Sequence, residues 1–331
     1  MPHDGGSAEW TLAQLLSTQV LELIVMPTEA CNCRCVYCYE TFGHGRMAPA
    51  TLDGIKALIS DRAPLLQRLA LSWFGGEPLL AADIVLEVSR HAAKLADIYP
   101  ALSYRAHMTT NGYLLSAGLL KELTAVGVLD YQITLDGPAA VHDRRRVRRD
   151  GRGTFDRIWE NLRAMQASPA PLGVTIRVHY EPATAADLPA LVDALRSEFG
   201  NDPRFTVRFK AVAPLGGPYD QHLSQFGADA GQAFVRAMNQ RLYGPDYAES
   251  PEAPYICYAA RANSLVIRAN GEVAKCTVAL ADPRNHVGRL HEDGTLAWAP
   301  GRLAPWLRGV STLDGDTLSC PLHSLPPEAI S

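Results

Sequence analysis

The chain has 331 residues, 47% of them apolar and 20% charged, with a formal net charge of −4. These proportions suit a folded globular protein, and the near balance of charge gives no basis for a nucleic-acid partner. No apolar stretch reaches the roughly 18 residues a membrane helix needs, and the first twenty residues lack a basic start followed by a long apolar run, so neither a membrane partner nor a secretion signal is expected.

Residues 1–20 read as an N-terminal extension. The first predicted strand is LELIVM, Leu21–Met26. It is followed along the chain by Leu69–Phe74, Tyr104–Thr109, Tyr131–Leu135, Gly173–Val178 and Phe205–Ala211. Each run ends in Gly, Pro or polar residues and leads into a helical pattern, for example Ala82–Ala96, Ser116–Ala125, Thr154–Gln166 and Ala185–Phe199. Continuous apolar runs suit parallel strands covered by helices. Six such units in series predict an α/β fold, a partial (β/α)6 barrel of the TIM type over residues 21–245, with its chemistry in the loops at the carboxyl ends of the strands. GPDYAESPEAP, Gly244–Pro254, reads as a linker. Beyond it SLVIRANGEVAKC predicts a hairpin turning at Asn270–Gly271, within a smaller C-terminal domain over 246–331. There is no tandem repeat.

The cysteines carry the strongest signal. CNCRCVYCYE follows the first strand directly, placing Cys31, Cys35 and Cys38 at C-x3-C-x2-C, with Tyr37 before the last and Cys33 as an extra thiol in the gap. A structural zinc site is the plain alternative, but such sites pair C-x2-C knuckles and close with four ligands. Three thiolates without a local fourth suit a four-iron cluster with one open iron. Seven cysteines is an odd number and disfavours a closed disulfide framework, so a reducing, cytoplasmic location is expected.

Further motifs fall at later strand ends. Gly75-Gly76-Glu77-Pro78 offers close backbone approach, a carboxylate for a cation and a proline suited to open a helix; a tight turn is the plain alternative. Thr109-Thr110-Asn111-Gly112 is by itself a turn. The stretch ITLDGPAAVHDRRRVRRDGRGTFDRI carries Thr134, Asp136 and six arginines from Arg144 to Arg152. A solvated basic loop is the ordinary reading for most of these, and a dock for an acidic peptide the sharper one. Cys257, Cys276 and Cys320 form a second set, with Gly271 giving C-x13-G-x4-C; three scattered buried thiols are the alternative. His107, His179, Tyr180 and Glu181 lie near strand ends and receive no catalytic role.

Taken together, C-x3-C-x2-C with its aromatic, GGEP, TNG and the T-L-D-G…H-D-x-x-R…G-T-F stretch resemble the radical S-adenosylmethionine (radical SAM) superfamily over residues 21–320. The resemblance implies a [4Fe–4S] cluster on Cys31, Cys35 and Cys38, with Cys33 a bystander and S-adenosylmethionine on the open iron. It implies cofactor contacts at Tyr37, Gly75, Gly76, Glu77, Pro78, Thr109, Asn111, Thr134, Asp136 and Arg146. The C-terminal spacing resembles a twitch or truncated SPASM domain, with one auxiliary iron–sulfur cluster on Cys257, Cys276 and Cys320 and a fourth ligand from His323, water or substrate. The branch implies a maturase that acts on a ribosomally made precursor peptide by forming a carbon–carbon or thioether crosslink. Protein modification of the sulfatase-maturing kind and peptide epimerisation are the alternatives. A zinc-binding module leaves GGEP and the L-D-G…H-D stretch unexplained. Expected partners are that peptide and an external one-electron reductant of flavodoxin or ferredoxin type. A leader-recognition domain would occupy roughly eighty residues before the first strand and twenty are present, so recognition is expected from a separate protein, the barrel surface or the basic loop.

Overall fold

The computed structural model describes residues 12, 15–248 and 255–326; most of the N-terminal extension and part of the expected linker lie outside the described residues. All six expected strands form: β1 (Val20–Val25), β3 (Arg68–Trp73), β4 (Ser103–Thr110), β5 (Val128–Leu135), β7 (Gly173–Tyr180) and β8 (Phe205–Ala211). They pair in parallel in chain order. The remaining early strands, β2 (Cys33–Cys35) and β6 (Arg146–Arg148), are three residues each and pair antiparallel with one another outside the main sheet.

Side-chain alternation divides each strand. Leu21, Leu23, Val25, Leu69, Leu71, Trp73, Met108, Tyr131, Ile133, Leu135, Val174, Ile176 and Val178 join one core beneath the helices. Each fully buried aliphatic side chain there contributes about 1.5–3 kcal/mol of transfer free energy. The intervening residues, among them His107, Thr109, Gln132, Thr134, Arg177 and His179, leave the sheet on its other face, the concave side of the partial barrel.

The hairpin forms as expected. β9 (Ser264–Ile267) turns at Asn270–Gly271, where Gly271 has φ +81°, and runs back as β10 (Glu272–Ala274). β9 also pairs in parallel with β1, and β11 (His286–Leu290) and β12 (Leu296–Trp298) continue from β10, so the C-terminal residues extend the barrel sheet to ten strands. Leu265, Ile267, Val273, Val287 and Trp306 share the main core.

The helix Pro49–Arg62 was not expected from the sequence. Its buried face is Thr51, Gly54, Ile55, Leu58 and Ile59; the spacing is helical, but two of the five are not apolar. Gly54 is required because a Cβ there would stand 2.3 Å from the His291 carbonyl oxygen. Among the described residues no helix is long and apolar enough to cross a membrane.

Candidate active site

The segment leaving β1 folds back over the strand ends, bringing the cysteine loop onto the GGEP turn. Glu77 N donates to Ala30 O at 2.9 Å. A Cβ at Gly75, where φ is +116°, would lie 2.3 Å from Thr28 O, and one at Gly76 would lie 2.4 Å from Ala30 O. The close approach expected of these glycines is thus to the backbone that carries the cysteines. Pro78 opens a short 3-10 turn, as expected, and the Glu77 carboxylate caps it by accepting from Leu79 N. The same buried carboxylate accepts from Thr110 Oγ1 at 2.7 Å and Asn111 N at 2.8 Å, tying the β3 end to the TNG turn. Burial pushes its pKa up to about 7 against these donors. Asn111 Nδ2 donates to Asn32 Oδ1 at 2.7 Å, beside Cys31, while Thr109 Oγ1 lies 3.3 Å from both His107 and Gln132 on the concave face.

A second cluster forms around Tyr37. Its hydroxyl is 2.6 Å from Asp136 Oδ2, 2.6 Å from Arg146 Nη1 and 3.0 Å from His179 Nδ1. A phenol has one proton, which the carboxylate takes, so His179 must present Nδ1–H as a donor. Burial works against ionisation of Asp136, yet His179, 3.4 Å away, and Arg146 hold its carboxyl well below the usual range. The pairing of β2 with β6 sets Cys35 directly opposite Arg146.

The L-D-G…H-D-x-x-R…G-T-F stretch proves to be one hydrogen-bonded unit. Asp136 N donates to His142 Nδ1 at 3.3 Å, which puts the ring proton on Nε2, 3.0 Å from Thr154 Oγ1. Thr154 Oγ1 in turn donates to Arg146 O at 2.9 Å. Burial drives the His142 pKa down to about 4, so the ring is neutral. Asp143 Oδ1 accepts from Thr154 N and Phe155 N, and a Cβ on Gly153 would sit 2.2 Å from that carboxylate. These residues hold Asp136 and Arg146 in place. The arginine-rich loop is accordingly mostly internal in its bonding: Arg145 pairs with Glu181, and Arg148 with Tyr113 and Asp150. Glu181, Asn32 and His142 were given no role from the sequence; the H-D of the motif was the only local signal for any of them. The loop after β8 also returns to the site, where a Cβ on Gly217 would lie 2.6 Å from Cys38 O.

The three cysteines differ electrostatically. Cys31 Sγ accepts from Cys33 N at 3.3 Å, and its pKa falls to about 6, with the Cys33 thiol the largest cause. Burial raises Cys35 to about 11 against the pull of Arg146, and raises Cys38 to about 12. In the second set Cys257 precedes a short turn, Cys276 follows β10, and Cys320 ends the helix Gly315–Ser319. Burial raises Cys257 and Cys276, and each feels Cys320. His323 is exposed. All seven thiols are free, and among the described residues no three His, Cys, Asp or Glu side chains are gathered as a single-ion site would need.

The site fits the groups the family uses at its first cysteine set. Cys35 stands opposite the Arg146 cation, and Arg146 Nε is buried without a hydrogen-bond partner, leaving polar capacity for a ligand at that end.

The α/β sheet, with cysteines on the loop after its first strand, defines a partial-barrel cofactor enzyme. The radical SAM superfamily model matches residues 25–195, and the chain belongs to that family of enzymes, which use a [4Fe–4S] cluster and S-adenosylmethionine. Among curated relatives, it is 29% identical over 173 residues to the Fe-coproporphyrin III synthase of Methanosarcina barkeri, covering 52% of this chain and 40% of that one. It is 28% identical over 213 residues to a GTP 3′,8-cyclase of Cyanothece, covering 62% and 60%. It is 30% identical over 192 residues to the mycofactocin maturase MftC of Mycobacterium tuberculosis, covering 57% and 44%. The matches span about half the length of these relatives. Among solved structures, anSMEcpe with bound AdoMet superposes with a TM-score of 0.65 at 17% identity, covering 88% of this chain and 83% of that one. Streptococcus suis SuiB bound to S-adenosylmethionine gives 0.59 at 16%, covering 95% and 70%. At these identities the likeness is one of fold.

Proposed function

We propose that this protein is a peptide maturase that modifies a ribosomally made precursor, forming an intramolecular carbon–carbon or thioether crosslink. The observation that carries the reading is the placing of Cys31, Cys35 and Cys38 over a polar concave face, with a second cysteine set in the C-terminal segment that extends the same sheet. Three comparisons support a peptide substrate: the mycofactocin maturase among the relatives, anSMEcpe with a Kp18Cys peptide, and SuiB bound to precursor peptide SuiA. When bound, the cluster and S-adenosylmethionine supply a radical able to take hydrogen from an unactivated carbon.

In this reading Cys31, Cys35 and Cys38 hold the catalytic cluster. The backbone of Gly75, Gly76, Glu77 and Pro78, together with Asn111 and Thr109, lines the ammonium and ribose end of S-adenosylmethionine. Thr134 and Arg146 meet its carboxylate, for which a guanidinium offers two parallel donors. Tyr37 and Asp136 orient Arg146. Cys257, Cys276 and Cys320 hold one auxiliary cluster. The chain's contribution is to fix the reacting carbon in position and keep water out. An external one-electron reductant and a precursor peptide are the partners of this scheme, set in the cytoplasm.

Anaerobic co-expression with any short peptide found encoded beside the gene tests it. A loss of two hydrogens from the peptide, read by mass spectrometry, is the expected result. An unchanged mass with an inverted residue would replace crosslinking by epimerisation. A colourless protein containing only zinc would sink the radical chemistry altogether.

A further inference from the structure

Most of the arginines crowded between residues 144 and 152 are engaged within the chain. Two arginines on the strands are not. Arg177 of β7 and Arg208 of β8 are register partners in a parallel pair, so both side chains leave the sheet on the same face. It is the face of His179, whose Nδ1 meets Tyr37 of the cysteine loop. Lys210, the register partner of His179, stands on that face too. Among the described residues none of the three cations makes a hydrogen bond or ion pair. Arg177 is partly buried, whereas Arg208 and Lys210 are exposed on the edge strand.

Burial acts most strongly on Arg177, followed by Tyr39, Tyr37, Arg146 and Arg208. A guanidinium withdrawn from water normally has an acid beside it, because desolvating a lone charge is costly. Among the described residues no ion pair within the chain meets the Arg177 charge. Backbones of adjacent strands lie about 4.8 Å apart, a spacing that lets two guanidinium forks straddle one carboxylate. Arg208 and Lys210, on the open edge away from β1, are accessible to a molecule entering the concave face, and Arg177 lies one strand further in.

We propose that Arg177 and Arg208, with Lys210 beside them, form a binding site for a carboxylate of the substrate. The site selects a substrate with an acidic side chain or a free carboxyl terminus near the reacting carbon. It rests on the reading that a separate substrate enters this face, and not on that substrate being a peptide. S-adenosylmethionine also carries a carboxylate, so the test is run with that cofactor absent and saturating.

The cluster-loaded enzyme is titrated anaerobically by calorimetry with glutarate and with its neutral analogue glutaramide. Glutarate should bind the S-adenosylmethionine-saturated enzyme roughly tenfold more tightly, the effect of one charge-assisted contact. Arg208→Gln and Arg177→Gln should each reduce that preference severalfold, and Arg177→Lys should keep part of it. Arg208 is exposed, so its variant answers even where Arg177→Gln fails to fold. Equal affinity for the two probes, an undiminished preference in Arg208→Gln, or glutarate binding only to the cofactor-free enzyme overturns the proposal; the last assigns the anion to S-adenosylmethionine. A companion titration uses acetyl-Gly-Gly-Glu-Gly-Gly-amide. If glutarate binds through these arginines and that peptide does not, the carboxylate site stands and the peptide reading fails.

Discussion

The two sets of three cysteines are built in opposite ways. Cys31, Cys35 and Cys38 lie on one loop, fastened by the pairing of β2 with β6 and by the Tyr37–Asp136–Arg146 cluster. Cys257, Cys276 and Cys320 come from three separate elements, and Cys276 is positioned by Asn285, whose Oδ1 accepts from Cys276 N at 2.9 Å. The first set has a buried guanidinium behind it to offset thiolate charge; in the second, the largest opposition to burial is backbone N–H groups, from Ala259 at Cys257 and from Ala279 and Val278 at Cys276. A contiguous site with its own counter-charge can be assembled locally. A dispersed one needs its separate elements to pack together first, as where Cys257 N donates to Leu318 O.

That contrast can be broken most sharply by removing the sulfurs. Substituting Cys31, Cys35 or Cys38 by Ala should reduce 5′-deoxyadenosine formation to background. The triple variant Cys257→Ala/Cys276→Ala/Cys320→Ala should lose part of the iron while still cleaving S-adenosylmethionine without peptide. Unchanged iron content in the triple variant refutes a second cluster.

Next in size is Asp136→Ala. It leaves His179 and Arg145 without the buried carboxylate they pair with and Tyr37 without its acceptor, which should cost about 3–5 kcal/mol in a denaturant titration. A loss under 1 kcal/mol would mean that the cluster does not hold the first loop.

Ile267→Ala, on the strand that joins the C-terminal segment to β1, should cost about 2–5 kcal/mol. If the two regions form one cooperative unit, a single transition shifts. Two separated transitions, with only the later part of the chain affected, would show that the second site forms independently.

The smallest effect is one of pH. Glu40, just after the first loop, has both carboxylate oxygens buried without partners, and burial, with Glu29 adding, pushes its pKa up to about 8. The folded value lies above the ordinary 4.5, so the contribution is complete below pH 4.5 and is lost as pH rises toward 8. The slope is at most about 1.4 kcal/mol per pH unit. Glu40→Gln should flatten the stability profile in that window, and a profile as steep as before would place the titration elsewhere.

Much of this architecture is legible along the chain. Runs such as Leu69–Phe74 declare strands through their own apolar continuity, Asn270–Gly271 declares a hairpin through its turn chemistry, and the first cysteine set is complete within one loop. What escaped were elements whose signal is diluted or distant. The Pro49–Arg62 helix uses Thr51 and Gly54 on its buried face, so its periodicity is weak. The glycines of GGEP read as an approach to a ligand, and only the structure shows that they also pack against the Thr28 and Ala30 carbonyls. His142 looked like one residue of a motif and is instead the link between Asp136 and Arg146. The arginine-rich loop read as mostly solvated, yet Arg145 and Arg148 reach Glu181 and Tyr113 at other strand ends. Arg177 and Arg208, two unremarked residues in separate strands, became neighbours only through the register of β7 with β8. The sequence by itself determined the strands, the hairpin and the first cysteine site, because periodicity and spacing act within a few residues. Only the tertiary structure decided which charges are paired and which face the concave side alone, because pairing depends on groups far apart in the chain meeting across the sheet.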